Sequence, residues 1–196
     1  KVVVITGGAS GFGFALANAF QKEGAKVVVC ARDKNELKNF PRDGILGVRA
    51  DVTKEKDVKK LAEFALEKFG KIDVWVNNAG IWLPRASIEE IDWEGRGHEI
   101  FEVNVFGTIY GSKAALIQMR KQGFGAIINI IPTSGLEGRV DSASYCATKF
   151  AANGFTKSLR KEVEGTDIKV FGIYPGGMKT NLFNANMPEN YDDYMD

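Results

Sequence analysis

The chain of 196 residues is 44% hydrophobic and 26% charged, which is the composition of one globular domain. Its 26 Lys and Arg residues against 25 Asp and Glu residues leave a net charge of +1, which argues against a nucleic-acid or membrane-surface binder. Two cysteines and one histidine exclude a disulfide framework and a structural zinc site. No apolar run reaches the roughly 20 residues of a membrane span. We therefore expect a cytoplasmic protein that binds a small molecule.

Short β-branched runs alternate with longer stretches of helical periodicity along the chain. The predicted strands cover 2–5, 26–30, 45–50, 72–76, 126–131 and 168–173, and the predicted helices cover 11–23, 35–39, 55–69, 93–122 and 144–164. Thr53 is the expected N-cap of the third helix, and the tail over 184–196 is polar. Several strands are apolar on both faces, which is typical of strands that helices cover on both sides. The pattern predicts an α/β fold, a Rossmann-type doubly wound parallel sheet, in a single domain over 1–196.

A glycine-rich loop with the sequence TGGASGFG follows the first strand at 6–13 and leads into an apolar helix. Gly7 permits a sharp turn, and Gly11 lets the backbone approach a pyrophosphate without a Cβ in the way. The N-terminus of the helix adds unpaired N–H groups and a positive dipole. The spacing G-x-x-x-G-x-G differs from the G-x-G-x-x-G of most dinucleotide-binding folds. We predict a dinucleotide site here, with a glycine-rich turn that binds no ligand as the alternative.

The residues after the second strand indicate which dinucleotide is bound. An NAD-specific site places a carboxylate there for the ribose 2′-hydroxyl, but this chain has Ala31 followed by Arg32. The Arg32 guanidinium can pair with a 2′-phosphate and stack on adenine. The charge therefore favours NADP over NAD, although NAD stays possible. The alternative is that Arg32 is an ordinary surface arginine.

Tyr145 and Lys149 are four residues apart on a predicted helix, so both side chains project from one face. Lowering the pKa of a tyrosine by about three units takes roughly 4 kcal/mol of phenolate stabilisation, which a nearby ammonium and a cationic nicotinamide can supply. The pair alone is common by chance. It becomes specific when joined to the glycine-rich loop, to Asn-Asn-Ala-Gly at 77–80 and to Pro-Gly-Gly at 175–177.

Together these residues resemble the short-chain dehydrogenase/reductase family over about 2–180. The resemblance implies an NAD(P)-dependent oxidoreductase that interconverts a carbonyl and a secondary alcohol by hydride transfer. It implies that Tyr145 is the general acid/base, that Lys149 binds the nicotinamide ribose and lowers the tyrosine pKa, and that Asn104 positions a water in a proton relay. The cofactor residues implied by the resemblance are Gly7, Ser10, Gly11, Phe12 and Gly13 at the pyrophosphate, Asp51 and Val52 at the adenine, Asn78, Ala79 and Gly80 at the adenosine ribose, and Pro175, Gly176 and Thr180 at the nicotinamide.

One residue of the family pattern is missing. The family places a serine thirteen residues before the tyrosine to hydrogen-bond the substrate oxygen, and that position is Pro132 here. Proline offers no donor. If strand geometry continues, Ser134 points to the same face and is the expected substitute, whereas a tightened turn would bring Thr133 into place instead. The departure leaves a second functional hypothesis, a dinucleotide-binding protein that lacks useful turnover and has a regulatory or assembly role.

The resemblance also carries expectations about substrate and assembly. Relatives pair through the helices that correspond to 93–122 and 144–164, which implies a homodimer or homotetramer. They continue past the Pro-Gly turn through a substrate-covering helix and a seventh strand, so we expect this chain to be shortened or part of a longer one. Trp82 follows the turn at 77–80, where the family lines its substrate cleft, and is a candidate apolar wall. The substrate itself is not predicted.

Overall fold

The computed structural model describes residues 1–38, 40, 44–178, 180 and 182. In this part of the chain six parallel strands form one sheet, in the order β3-β2-β1-β4-β5-β6. The strands are β1 Val2–Thr6, β2 Lys26–Ala31, β3 Ile45–Arg49, β4 Val74–Asn77, β5 Phe124–Ile130 and β6 Asp167–Ile173. The helices are α1 Gly11–Lys22, α2 Glu55–Phe69, α3 Arg96–Phe101, α4 Gly107–Gln122 and α5 Ala143–Glu162. The predicted doubly wound α/β fold is confirmed.

Alternate residues of each central strand enter different cores, because successive side chains of a strand point to opposite faces. Val3 and Ile5 of β1 pack with α1 on one face. Val4 of the same strand packs with α2, α4 and α5 on the other face, around the fully buried Trp75. Helices therefore cover the sheet on both sides, and the carboxyl ends of the strands remain open at one edge. Among the described residues, none of the helices combines the length and the hydropathy of a membrane-spanning segment.

Two predicted helices differ from the structure. The helix expected over 35–39 is wrong for its described residues, which form turns with isolated i to i+3 bonds after the Asp33 carboxylate accepts the Asn35 N–H at 2.8 Å. Asn39 lies outside the described residues. The helix expected over 93–122 begins only at Arg96, and a π-helical turn at Glu102–Phe106 separates α3 from α4.

One predicted cap is also wrong, and one expectation is not tested. Lys54, not Thr53, is the N-cap of α2, since the Thr53 hydroxyl donates to the Asp51 carboxylate at 2.8 Å. The polar tail over 184–196 lies outside the described residues. All six predicted strands are present, with ends shifted by at most two residues.

Candidate active site

A cleft of about 600 Å³ opens at the carboxyl ends of the strands. It lies where the strand order passes from β2 through β1 to β4, the point at which the chain winds in opposite directions on the two sides. Ligands of open α/β sheets bind at such a switch point. The cleft is lined by most of the residues that the sequence singles out: Gly7, Ser10, Gly11, Phe12, Arg32, Asp51, Val52, Asn78, Ala79, Gly80, Pro132, Tyr145, Lys149 and Thr180.

The glycine-rich loop needs its glycines for backbone shape and close packing. Gly7 and Gly11 have φ of +61° and +52°, a region that side chains disfavour. A Cβ on Gly7 would lie 2.9 Å from the Ala79 Cα, and one on Gly13 would collide with the Gly7 carbonyl and the Asn78 amide. The Asn78 amide donates to the carbonyls of Thr6 and Gly7, each at 3.0 Å. Asn78 and Gly13 therefore hold the loop in shape, whereas the family resemblance placed both residues in contact with the cofactor.

Ser10 caps the first turn of α1 at the mouth of the cleft. Its backbone is extended, and its hydroxyl makes no capping bond to the helix. The first turn of α1 carries no acidic residue, and it contains Gly11 and Phe12, which line the cleft. Backbone N–H groups at a helix start without nearby carboxylates fit a pyrophosphate.

Arg32 lies at the end of β2 beside the same cleft, where the sequence predicted it. Its side chain is 66% exposed, and Nη1 is 3.5 Å from the Glu99 carboxylate. Asp51 follows β3, and its carboxylate accepts the N–H and the hydroxyl of Thr53 at 3.0 and 2.8 Å. The cleft also includes Arg96, which like Arg32 pairs with Glu99, and the carboxylates of Glu36 and Glu99 line it beside Asp51.

Lys149 and Tyr145 lie on the same face of α5, and the Lys149 Nζ is 5.4 Å from the centre of the Tyr145 ring. Lys149 is only 6% exposed, and it makes no hydrogen bond or ion pair with any described residue. Burial lowers the pKa of Lys149 to about 8. A buried ammonium that lines a cleft, with no hydrogen-bond or ion-pair partner in the described part of the chain, fits the hydroxyls of a bound ribose, so the residues present here suit the predicted dinucleotide.

Asn104 belongs to the π-helical turn Glu102–Phe106 and is completely buried. Its side-chain oxygen accepts the Ile81 N–H at 2.8 Å, and its amide donates to the Ile81 carbonyl at 2.9 Å and to the Thr148 hydroxyl at 3.2 Å. A Cβ on Gly80 would lie 3.3 Å from the Asn104 Oδ1 and 3.4 Å from the Lys149 Nζ. The π-helical turn therefore brings Asn104 next to Lys149 and ties α5 to the loop after β4.

Tyr145 lies at the junction between this cleft and a smaller cavity of about 90 Å³. Burial and the neighbouring Cys146 raise the pKa of Tyr145 above its ordinary value, and the Arg139 guanidinium opposes that rise. The lowering of the Tyr145 pKa by Lys149, which the resemblance implies, stays a prediction. A phenol of this kind is a proton donor at neutral pH.

The segment after β5 forms the tightened turn that the sequence left open as an alternative. Strand geometry ends before Pro132, and Thr133–Gly135 is a short 3₁₀ helix. The Ser134 Oγ is buried without a hydrogen-bond partner among the described residues. The Thr133 hydroxyl instead accepts a hydrogen bond from Arg139 Nη2 at 3.0 Å. Both hydroxyl residues and Pro132 line the smaller cavity beside Tyr145.

The smaller cavity is lined both by residues that the sequence indicated and by residues that it did not. Of the indicated residues, Trp82 lines both cavities, and Pro175, Gly176 and Thr180 line the smaller one. Arg85 and Arg139 line it too, and neither was predicted. They lie in loops without a recognisable motif, and no spacing in the sequence marks them as neighbours of Tyr145.

Comparisons with known proteins agree with this geometry. A family model described as short chain dehydrogenase matches residues 1–190. An uncharacterised oxidoreductase of Staphylococcus aureus strain MRSA252 is 39% identical over 188 residues, which are 93% of this chain and 80% of that protein. The crystal structure of a 3-ketoacyl-(acyl-carrier-protein) reductase from Brucella melitensis complexed with NADH has a TM-score of 0.89 at 36% identity, over 94% of this chain and 78% of that one. ElxO with NADP bound has a TM-score of 0.89 at 34% identity, over 95% of this chain and 77% of that one.

Proposed function

The chain belongs to the short-chain dehydrogenase family of oxidoreductases, and from that premise we propose that it interconverts a carbonyl compound and a secondary alcohol with NADP(H). The observation that carries the proposal is that Tyr145 and Lys149 line the cleft together, with the buried Asn104 next to Lys149 behind Gly80. When bound, the nicotinamide supplies or accepts the hydride. The chain's own residues bind the cofactor, orient the substrate and move the proton.

We assign cofactor binding to the residues that form the cleft. The first turn of α1 with Gly7, Ser10, Gly11 and Phe12 would hold the pyrophosphate, in a loop whose shape depends on Gly13, and Asn78, Ala79 and Gly80 would border the ribose. Asp51 and Val52 would contact the adenine, and Pro175, Gly176 and Thr180 the nicotinamide end. The family relatives bind NADH in one structure and NADP in another, and Arg32 at the end of β2 is the reason for proposing NADP here.

The proton is held at the Tyr145 hydroxyl, which donates it to the substrate oxygen in reduction and accepts it in oxidation. Lys149 would bind the ribose hydroxyls with an ammonium that has no hydrogen-bond or ion-pair partner among the described residues, and its charge would then stabilise the phenolate. Asn104 Oδ1 accepts one hydrogen bond, from Ile81, and a carboxamide oxygen can accept a second from a relay water.

Ser134 is the proposed hydroxyl donor to the substrate oxygen, in place of the family's serine, whose position is Pro132 in this chain. It lines the cavity beside Tyr145, and rotation about its Cα–Cβ bond would turn the buried Oγ toward that cavity. Thr133 remains the alternative donor, although its hydroxyl already accepts from Arg139. A donor of this kind contributes about 10²- to 10³-fold in rate.

Fluorescence titration with NADPH and NADH, followed by NADPH oxidation against a panel of ketones and aldehydes, tests the function. Tyr145→Phe should lower turnover by about 10²- to 10⁴-fold and leave nucleotide affinity within about twofold. Tyr110→Phe, which removes a half-buried hydroxyl on α4, is the matched control and should behave as wild type.

Two results would contradict the proposal in different ways. Absence of nucleotide binding would overturn it entirely. Tight NADPH binding without turnover of any carbonyl would favour the second hypothesis, a dinucleotide-binding protein with a regulatory or assembly role, for which Pro132 and the shielded Ser134 Oγ are the structural reason.

We further propose that the chain forms a homodimer or homotetramer through α4 and its neighbour α5. Phe106, Ile117 and Phe150 are exposed large apolar side chains at or on these helices. A reducing, cytoplasmic setting is also proposed, because Cys30 and Cys146 are buried free thiols and burial raises the pKa of Cys30 to about 12. Analytical ultracentrifugation of wild type against Phe150→Lys tests the assembly.

A further inference from the structure

An arginine side chain enters the cavity beside Tyr145 and has no part in the function proposed above. Arg139 lies in the loop between the 3₁₀ helix Thr133–Gly135 and α5, and it is half-buried. Its Nη2 donates to the Thr133 hydroxyl at 3.0 Å. The guanidinium is therefore held in the cavity by a neutral neighbour on the segment that replaces the family's serine.

The charge of Arg139 is not balanced by the described part of the chain. Arg139 forms no ion pair with any described residue, whereas Arg32 and Arg96 both pair with Glu99, at 3.5 and 3.2 Å. No Asp or Glu is among the described residues that line the cavity, and a second arginine, Arg85, lines it as well. A guanidinium has five N–H donors, and the described chain uses one of those of Arg139. The others form a planar fork that matches a carboxylate.

The Arg139 guanidinium lies near the proposed reacting group, the Tyr145 hydroxyl. Arg139 and Tyr145 line one cavity, and the positive charge of Arg139 opposes the rise in the pKa of Tyr145. The remaining wall is largely apolar, with Trp82, Met178 and Leu182. An apolar wall lowers the local dielectric, which strengthens a charge pair formed inside the cavity.

We infer that the cavity takes a carbonyl substrate that carries a carboxylate, with Arg139 as the residue that binds the carboxylate. Thr133 is a positioning residue that fixes the guanidinium, since its hydroxyl is the one described partner of that group. This inference rests on the proposed function for the location of the reacting oxygen, and it adds the chemical class of the substrate.

The test compares acetoacetate and levulinate with their methyl esters, which keep the ketone and remove the charge. Wild type should have at least about tenfold higher kcat/KM for the acids than for the esters. Arg139→Gln should lower kcat/KM for the acids by about 10- to 100-fold, mainly through KM, and change the KM for the esters by less than about twofold. Thr133→Val should raise KM for the acids in the same direction but by less. Arg120→Gln, an exposed arginine in the last turn of α4, is the control.

A second measurement needs no turnover. Propionate should compete with methyl levulinate in wild type and not in Arg139→Gln, and neutral propionamide should compete in neither. If no carbonyl is reduced, calorimetric titration with levulinate still decides the matter, because binding that depends on Arg139 supports the anion site and its absence overturns it.

The two levels of the proposal fail separately. Reduction of acids and esters with equal kcat/KM, or equal losses for both in Arg139→Gln, overturns the carboxylate site and leaves the oxidoreductase function intact. Failure to bind NADPH overturns the proposed function, while levulinate binding continues to report on Arg139.

Discussion

The Lys149 ammonium lies 5.4 Å from the centre of the Tyr145 ring and makes no hydrogen bond or ion pair within the described part of the chain. A buried charge without a partner destabilises the folded state unless a ligand supplies one. Lys149 is thus placed for binding and not for stability. The same relationship gives the first prediction, because the cost depends on pH.

Lys149→Met should make the protein more stable at pH 7. Burial lowers the folded pKa of Lys149 from 10.5 to about 8, so the native state binds fewer protons than the unfolded state between those values. The cost of burying the charge is full below pH 8 and declines as pH rises through this window. The free energy of unfolding of wild type should therefore rise from pH 8 to pH 10, and that of Lys149→Met should not show this rise. At pH 7 the free energy of unfolding of Lys149→Met should exceed that of wild type by up to about 3 kcal/mol.

Urea unfolding at several pH values measures this effect, with loss of carbonyl reduction as the second readout. Lys157→Met is the control, because Lys157 is an exposed lysine on the same helix. The raised pKa of Tyr145 keeps that phenol neutral over the same window, so it does not mask the change. Lower stability of Lys149→Met at pH 7 would mean that Lys149 has a stabilising partner in solution.

The main features of the fold follow from hydrophobic periodicity, and the exceptions have local causes. The apolar run at 27–29 predicts a buried strand because it is apolar on both faces, and all three residues are buried in β2. The π-helical turn at Glu102–Phe106 has no such signal. Its shape accompanies the bonds of the Asn104 side chain to Ile81, which is distant in sequence.

The site likewise contains residues that local sequence spacing predicts and residues that it does not. Tyr145, Lys149 and the glycine-rich loop are fixed by local spacing on a helix and a turn, so the sequence places them together at one cleft. Arg139 reaches the same cavity through the path of a loop. The position of Ser134 depended on whether strand geometry continues past Pro132, and the 3₁₀ helix that replaces it shields the Ser134 Oγ.

Ser134→Ala should separate stability from catalysis. The Ser134 Oγ is buried without a partner among the described residues, so its removal should leave the free energy of unfolding unchanged or raise it by about 1 kcal/mol. If Ser134 donates to the substrate oxygen, carbonyl reduction should fall by about 10²- to 10³-fold with NADPH affinity unchanged. Denaturant unfolding and steady-state kinetics measure the two effects.

Ser158→Ala is the control for this pair of measurements, since Ser158 is exposed on α5. Wild-type turnover in Ser134→Ala would remove Ser134 as the donor. Wild-type turnover in the double variant Thr133→Ala with Ser134→Ala would show that neither hydroxyl replaces the missing serine.

Arg32→Gln should reduce the preference for NADPH over NADH. The exposed guanidinium at the end of β2 is 3.5 Å from the Glu99 carboxylate, a solvent-exposed pair of little strength that a phosphate can displace. Loss of charge-assisted bonds to a 2′-phosphate should weaken NADPH binding by about 10- to 100-fold and leave NADH within about twofold. Glu99→Gln should not weaken NADPH binding, because it releases Arg32 from its acidic neighbour. Fluorescence titrations at low and high salt measure both constants, with Arg120→Gln as the control, and the preference should shrink as salt screens the phosphate. Equal losses of affinity for NADPH and NADH would mean that Arg32 contacts a part of the nucleotide that both share. A wild-type preference for NADH would contradict the proposal that Arg32 pairs with a 2′-phosphate.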